Sequence, residues 1–119
     1  MMAISSYQRG IKAENSVKLW LENKGWILRF HRWRCPWGEI DLIMDRGSTL
    51  VGFEVKARPS FHRGAQSLTY RQQHRLCRSF EYFIAHHESE FSYQTFRLDY
   101  VVVVPSGALY HYVNITPFL

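Results

Sequence analysis

In Phe53-Glu54-Val55-Lys56 a carboxylate and an ammonium stand two residues apart. Successive side chains of an extended strand leave on opposite faces, so Glu54 and Lys56 project together while Val55 packs the other way. Asp41 lies mid-run in Gly38-Glu39-Ile40-Asp41-Leu42-Ile43, and a tight turn through Asp45-Arg46-Gly47-Ser48 would bring it beside Glu54. Burying such charges is costly unless they are paired or bind a cation. Two or three carboxylates as hard oxygen donors suit Mg²⁺ or Mn²⁺, whose retained waters can attack phosphorus. The ion would stabilise charge on a scissile phosphate and acidify a water, with Lys56 orienting that water or neutralising developing charge.

A Glu-x-Lys pattern by itself is as well explained by a charge network on a half-exposed sheet face. Its company argues otherwise. Glu14 falls on the apolar stripe of the helix before these strands, and Gln73 on that of the helix after them. Polar groups that break the binary pattern where elements should pack mark the places where functional sites are expected.

The elements that must position these residues follow from periodicity. Tyr7, Ile11, Glu14, Val17 and Leu21 recur at helical spacing, with Ser5 or Ser6 as N-cap and Gly25 as stop. Trp26, Leu28 and Phe30 then alternate with Arg29, His31 and Trp33, which predicts a strand. Further strands are expected at Glu39 to Met44 and Thr49 to Lys56, giving an antiparallel meander. Pro59 and Gly64 bracket a basic loop, and Thr69 with Gln72 has the capping-box form that opens a helix carrying Leu76, Phe80, Phe83 and Ile84. Phe96 to Val104 and Ala108 to Val113 read as the last strands.

The chain has 119 residues, 46% of them hydrophobic and 16% aromatic, enough for one core and one domain, 1–119. Fifteen Lys and Arg against ten Asp and Glu give a net charge of +5. Seven of the bases lie between Arg9 and Arg34 and six between Lys56 and Arg78, the footprint of a polyanion partner. Cys35 and Cys77 lack any close metal spacing, and the six histidines lack the paired spacing of a structural zinc site. No apolar run reaches membrane length and the N-terminus is too polar for a secretory core, so a cytoplasmic, reduced bacterial protein is expected.

Glu14, Asp41 and Glu54-Val55-Lys56 in the order αβββαβ resemble the PD-(D/E)xK nuclease superfamily, including archaeal-type Holliday junction resolvases. More closely, Gly10-x-x-x-Glu14, Gly25, GEIDLI from Gly38 to Ile43 and FEVKAR from Phe53 to Arg58 look like the YraN-like family of small bacterial proteins. Gly64, Gln73, Leu76, Arg97 and Asp99 also fall at that family's signature positions. Gln72 departs from it, standing where the family usually has a base. The resemblance implies a restriction-endonuclease-like α/β fold, with a mixed central sheet flanked by helices. It further implies metal ligation by Asp41, Glu54 and the Val55 carbonyl, support from Glu14, Lys56 beside the attacking water, and Gln73 as an accessory catalytic residue.

The expected activity is therefore Mg²⁺- or Mn²⁺-dependent hydrolysis of DNA phosphodiesters, on branched DNA in repair or recombination. Arg32, Arg34, Arg58, Arg63, Arg71 and Arg75 are the expected nucleic-acid contacts. DNA is favoured over RNA, no membrane is involved, and resolving a junction would require a homodimer. The alternative is a catalytically silent nucleic-acid-binding module of the same fold.

Overall fold

The computed structural model describes residues 4–87, 90 and 92–115 of the expected domain 1–119. Helix α1, Ser6–Glu22, starts at a reciprocal cap in which Ser5 Oγ accepts the Gln8 N–H at 3.1 Å and Gln8 Oε1 accepts the Ser5 N–H at 2.9 Å. Strands β1 (Ile27–Cys35), β2 (Gly38–Arg46) and β3 (Thr49–Ala57) form the antiparallel meander. Helices α2 (Phe61–Ser67) and α3 (Tyr70–His87) lead to β4 (Thr95–Val103), which runs parallel to β3, and β5 (Leu109–Tyr112) closes antiparallel to β4. The sheet order is β1-β2-β3-β4-β5, a mixed sheet around the αβββαβ core. Among the described residues no helix is long and apolar enough to cross a membrane.

Each face of the sheet carries its own apolar cluster. Val17 and Leu21 of α1 meet Leu42, Met44 and Phe53 on one side, all fully buried. Leu76, Phe80 and Phe83 of α3 meet Ile40, Ile43, Leu50 and Leu98 on the other. Burial of such a side chain stabilises by roughly 2 kcal/mol, so the two clusters hold both helices on the sheet.

Four expectations are corrected. Tyr7 does not join the buried stripe of α1, being 65% exposed, and Ala13 takes a place there instead. Leu28 and Phe30 do not share a face, because the β1–β2 register shifts by one residue at Arg29, so Leu28 packs in the α1 cluster and Phe30 in the α3 cluster. Trp33, expected to oppose Phe30, packs in the same cluster as Phe30 and meets Phe83 edge-on. The basic loop after Pro59 is largely helical, with Ser60 Oγ accepting the Arg63 N–H at the start of α2.

Gly64 is buried within α2 because the helix lies directly on β4. A Cβ there would stand 2.3 Å from Val102 Cγ1, and the Gly64 carbonyl accepts the Tyr100 hydroxyl at 2.6 Å.

Candidate active site

The regular β2–β3 ladder begins with Leu42 opposite Phe53 and leaves Asp41 and Glu54 just beyond its end. Ile40 packs in the α3 cluster and Leu42 in the α1 cluster although they are two residues apart, so strand alternation breaks at Asp41. The neighbouring strand is irregular at the same level. Arg32 lies between the His31–Leu42 and Trp33–Ile40 pairs, thus across from Asp41, with a left-handed φ of 53°. Both irregularities re-aim side chains towards one point at the edge of the α1 interface.

At that point Asp41 Oδ2 accepts the Val55 N–H at 2.8 Å. The N–H and C=O of a strand residue leave on the same side, so the Val55 carbonyl also leaves towards β2, beyond the end of the ladder. Asp41 and Glu54 lie within hydrogen-bonding reach of each other. Burial raises the Asp41 carboxyl above its ordinary value, against the hydrogen bonds from Glu54 and the Val55 N–H. Glu54 is held well above the carboxylate range, first by burial and then by the Asp41 hydrogen bond and charge. The charge of Lys56 lowers both and that of Glu14 raises both. Two carboxyls so arranged hold a proton between them more readily than two charges.

Glu14 faces the same pocket from α1, and it is clamped. Arg32 Nε and Nη2 donate to its two oxygens at 3.0 and 2.9 Å, and His31 Nε2 lies 3.0 Å from Oε1. Lys18, one turn after Glu14 on α1, pairs with Glu22 at 3.9 Å and not with Glu14. The left-handed turn at Arg32 lets consecutive β1 residues reach one carboxylate, which alternation forbids in a regular strand.

Glu14, Arg32, Glu39, Asp41, Glu54 and Lys56 thus line one pocket of about 270 Å³. Gln73 does not: at the start of α3 its amide donates to the Leu68 carbonyl at 3.4 Å. Nor are all the chosen cations free for a ligand. Arg32 is committed to Glu14, and Arg34 Nε donates to Glu39 at 2.8 Å. Arg58 borders the pocket, its Nε donating to Ser67 Oγ and Nη1 to the Ala57 carbonyl, each at 2.8 Å. Arg63 lies on α2, and Arg71 and Arg75 are exposed on α3, with the Arg75 stem over Gly38. Asp99 closes a separate network with Arg97, His111 and the Asn114 N–H. Burial alone would raise its pKa, but those donors outweigh it and hold the carboxyl low.

Among the described residues no three His, Cys, Asp or Glu side chains gather into a ready-made metal cage. The donors that do converge are two carboxylates and one strand carbonyl, a set of hard oxygens. That set fits an ion that keeps several of its waters, such as Mg²⁺, and does not fit zinc. Arg9, which the sequence did not single out for the site, and Gly10 of the Gly10-x-x-x-Glu14 motif also line the pocket. Their signal was present in the helical register, since Gly10 lies one turn before Glu14 and leaves space at the pocket mouth.

Fold and site together define a small mixed α/β protein with an acidic, cation-rimmed pocket where its central hairpin splits. Residues 13–103 match the family described as "Uncharacterised protein family UPF0102", and the chain belongs to that family, the YraN-like one that GEIDLI and FEVKAR indicate. It is similar to a UPF0102 protein of Nitrobacter winogradskyi, 31% identical over 104 residues that cover 87% of each chain. A UPF0102 protein of Parvibaculum lavamentivorans is 36% identical over 102 residues, 86% of this chain and 76% of the relative. One from Rhodopseudomonas palustris is 32% identical over 108 residues, 91% of this chain and 82% of the relative.

Proposed function

We propose that this protein is a Mg²⁺- or Mn²⁺-dependent endodeoxyribonuclease. One observation carries the reading: Asp41 and Glu54, two neighbouring carboxyls raised in pKa by burial, open into a pocket beside Lys56. Such a pair is destabilising as an empty dianion and becomes favourable when a divalent cation replaces the proton. Asp41, Glu54 and the Val55 carbonyl would hold the ion, which supplies charge neutralisation at the scissile phosphate and a more acidic water. Asp41 is held in place by the Val55 N–H. Lys56 would orient the attacking water and balance negative charge as the water oxygen bonds to phosphorus and gives up a proton to solvent, while the departing ester oxygen takes one from solvent. Glu14, fixed by Arg32 and His31, adds negative potential that favours a cation in the pocket. The reading extends to cytoplasmic action on branched DNA in repair or recombination, with a homodimer supplying two sites where a junction is resolved.

The rival, a binding module without turnover, is favoured by the clamp on Glu14, which withdraws a third carboxylate from the pocket. Incubation of the purified protein with linear, flapped and four-way DNA separates the two. Cutting with Mg²⁺ or Mn²⁺ and none in chelator is expected. Binding without cutting of any form under any divalent ion would decide for the module.

A further inference from the structure

Some cations of the chain are held by a carboxylate and others are not. Arg29, Arg32, Arg34 and Arg97 are each paired with a carboxylate. Among the described residues Arg9, Lys12, Arg58 and Arg63 have no such ion pair, and all four line depressions that connect with the carboxylate pocket. Arg9, Ala57 and Arg58 border both that pocket and a groove of about 780 Å³ between α1 and the β4–β5 turn. Arg58 and Pro59 continue it to a third depression beside Arg63 on α2. Cations without an ion pair therefore line three depressions that share residues, one of which holds Glu54.

The groove itself has two chemistries. Arg9, Lys12, Ala13 and Ser16 follow the i, i+3, i+4, i+7 spacing of one helix face, so α1 presents two bases and two small residues to it. Ile4, Val103, Val104 and Pro105 supply apolar walls. A continuous duplex could touch the charged rim with its phosphates but could not use those walls, because its bases are stacked inside. An unpaired nucleotide can use both, with phosphate on Arg9, Lys12 and Arg58 and base against the walls.

We propose that the groove between α1 and the β4–β5 turn holds an unpaired DNA segment adjoining the scissile phosphate, making tailed or flapped DNA the substrate class. The proposal rests on the nuclease reading for the meaning of that phosphate, but strand binding can be measured without turnover. Fluorescence anisotropy of the full chain in chelator would compare a blunt duplex with the same duplex bearing a single-stranded thymidylate tail. The tailed form is expected to bind about tenfold more tightly, the scale of one well-contacted base. Ser16→Trp fills the groove from an exposed position and should abolish the preference while leaving blunt-duplex affinity unchanged. Lys12→Glu, which leaves the core untouched, should reduce tailed binding at least as strongly, and it decides the matter if Ser16→Trp does not fold. Equal affinity of the parent for tailed and blunt DNA, or a preference retained in the folded variants, overturns the groove assignment. Tail preference without cutting under any divalent ion leaves the groove intact and removes the nuclease reading. Cutting without tail preference does the reverse.

Discussion

Asp41 takes the amide hydrogen of Val55 at 2.8 Å and lies at the same time within hydrogen-bonding reach of Glu54. A side chain thus does here what the backbone of β2 does along the rest of the hairpin. Asp41→Ala leaves the Val55 N–H without its acceptor and is expected to cost about 1–3 kcal/mol of stability, the usual penalty for an unsatisfied buried donor. Asp41→Asn keeps a carbonyl oxygen for that bond and should lose function while losing little stability. Urea denaturation of the two variants reads the difference; equal stability would mean the bond carries no structural weight.

Glu54→Gln should stabilise the protein in chelator at neutral pH. The folded state holds the Glu54 pKa above its unfolded value, so its contribution is fully present below the ordinary carboxylate range and is lost as pH rises through the raised value. Removing the titration should recover roughly 1–2 kcal/mol, in the range typical of relieving a functionally constrained site. Thermal melts across pH would show a parent that loses stability towards neutrality more steeply than the variant. Added Mg²⁺ should raise the parent's Tm and leave the variant's unchanged.

The Arg32–Glu14 pair predicts a strong asymmetry between two substitutions of one residue. Arg32→Ala strands a nearly buried carboxylate with only His31 beside it, an expected loss of about 3 kcal/mol. Arg32→Lys preserves the charge but cannot make the two-pronged contact, and should recover less than half of that. Chemical denaturation of both variants tests it; full rescue by Lys would show that charge alone suffices.

Gly64→Ala tests how closely α2 is seated. The added methyl meets Val102 at 2.3 Å, so a loss of about 1–3 kcal/mol is expected from overpacking. Val102→Ala removes the obstructing methyls, and the double variant should be more stable than the sum of the single effects predicts. Additive losses would show that α2 relaxes away from β4 instead.

Much of this arrangement is legible locally. Ser5 with Gln8, and Thr69 with Gln72, announce the starts of α1 and α3 by reciprocal caps made within four residues. Gly47, with its left-handed φ, marks the hairpin that aligns Asp41 with Glu54. What could not be read depends on partners distant in sequence. Nothing near Glu14 reveals that Arg32 will clamp it, because the clamp requires both a shifted register at Arg29 and a left-handed Arg32. Helix α2 escaped notice because its only buried residue is Gly64, leaving no apolar stripe to announce it. The unpaired cations of the groove were indistinguishable from Arg32 and Arg34 until the acids had chosen their partners.

The hairpin through Gly47 also bears on the order in which the chain assembles. Its two strands are consecutive, whereas β4 must return across α2 and α3 before it can pair with β3. Local pairings close with the least loss of chain entropy and tend to form early. The two like carboxyls therefore meet near the beginning of folding, and their repulsion weighs on the barrier as well as on the finished protein. Stopped-flow measurement should then find that Glu54→Gln speeds folding at neutral pH as well as slowing unfolding, the second part reflecting the burial completed later.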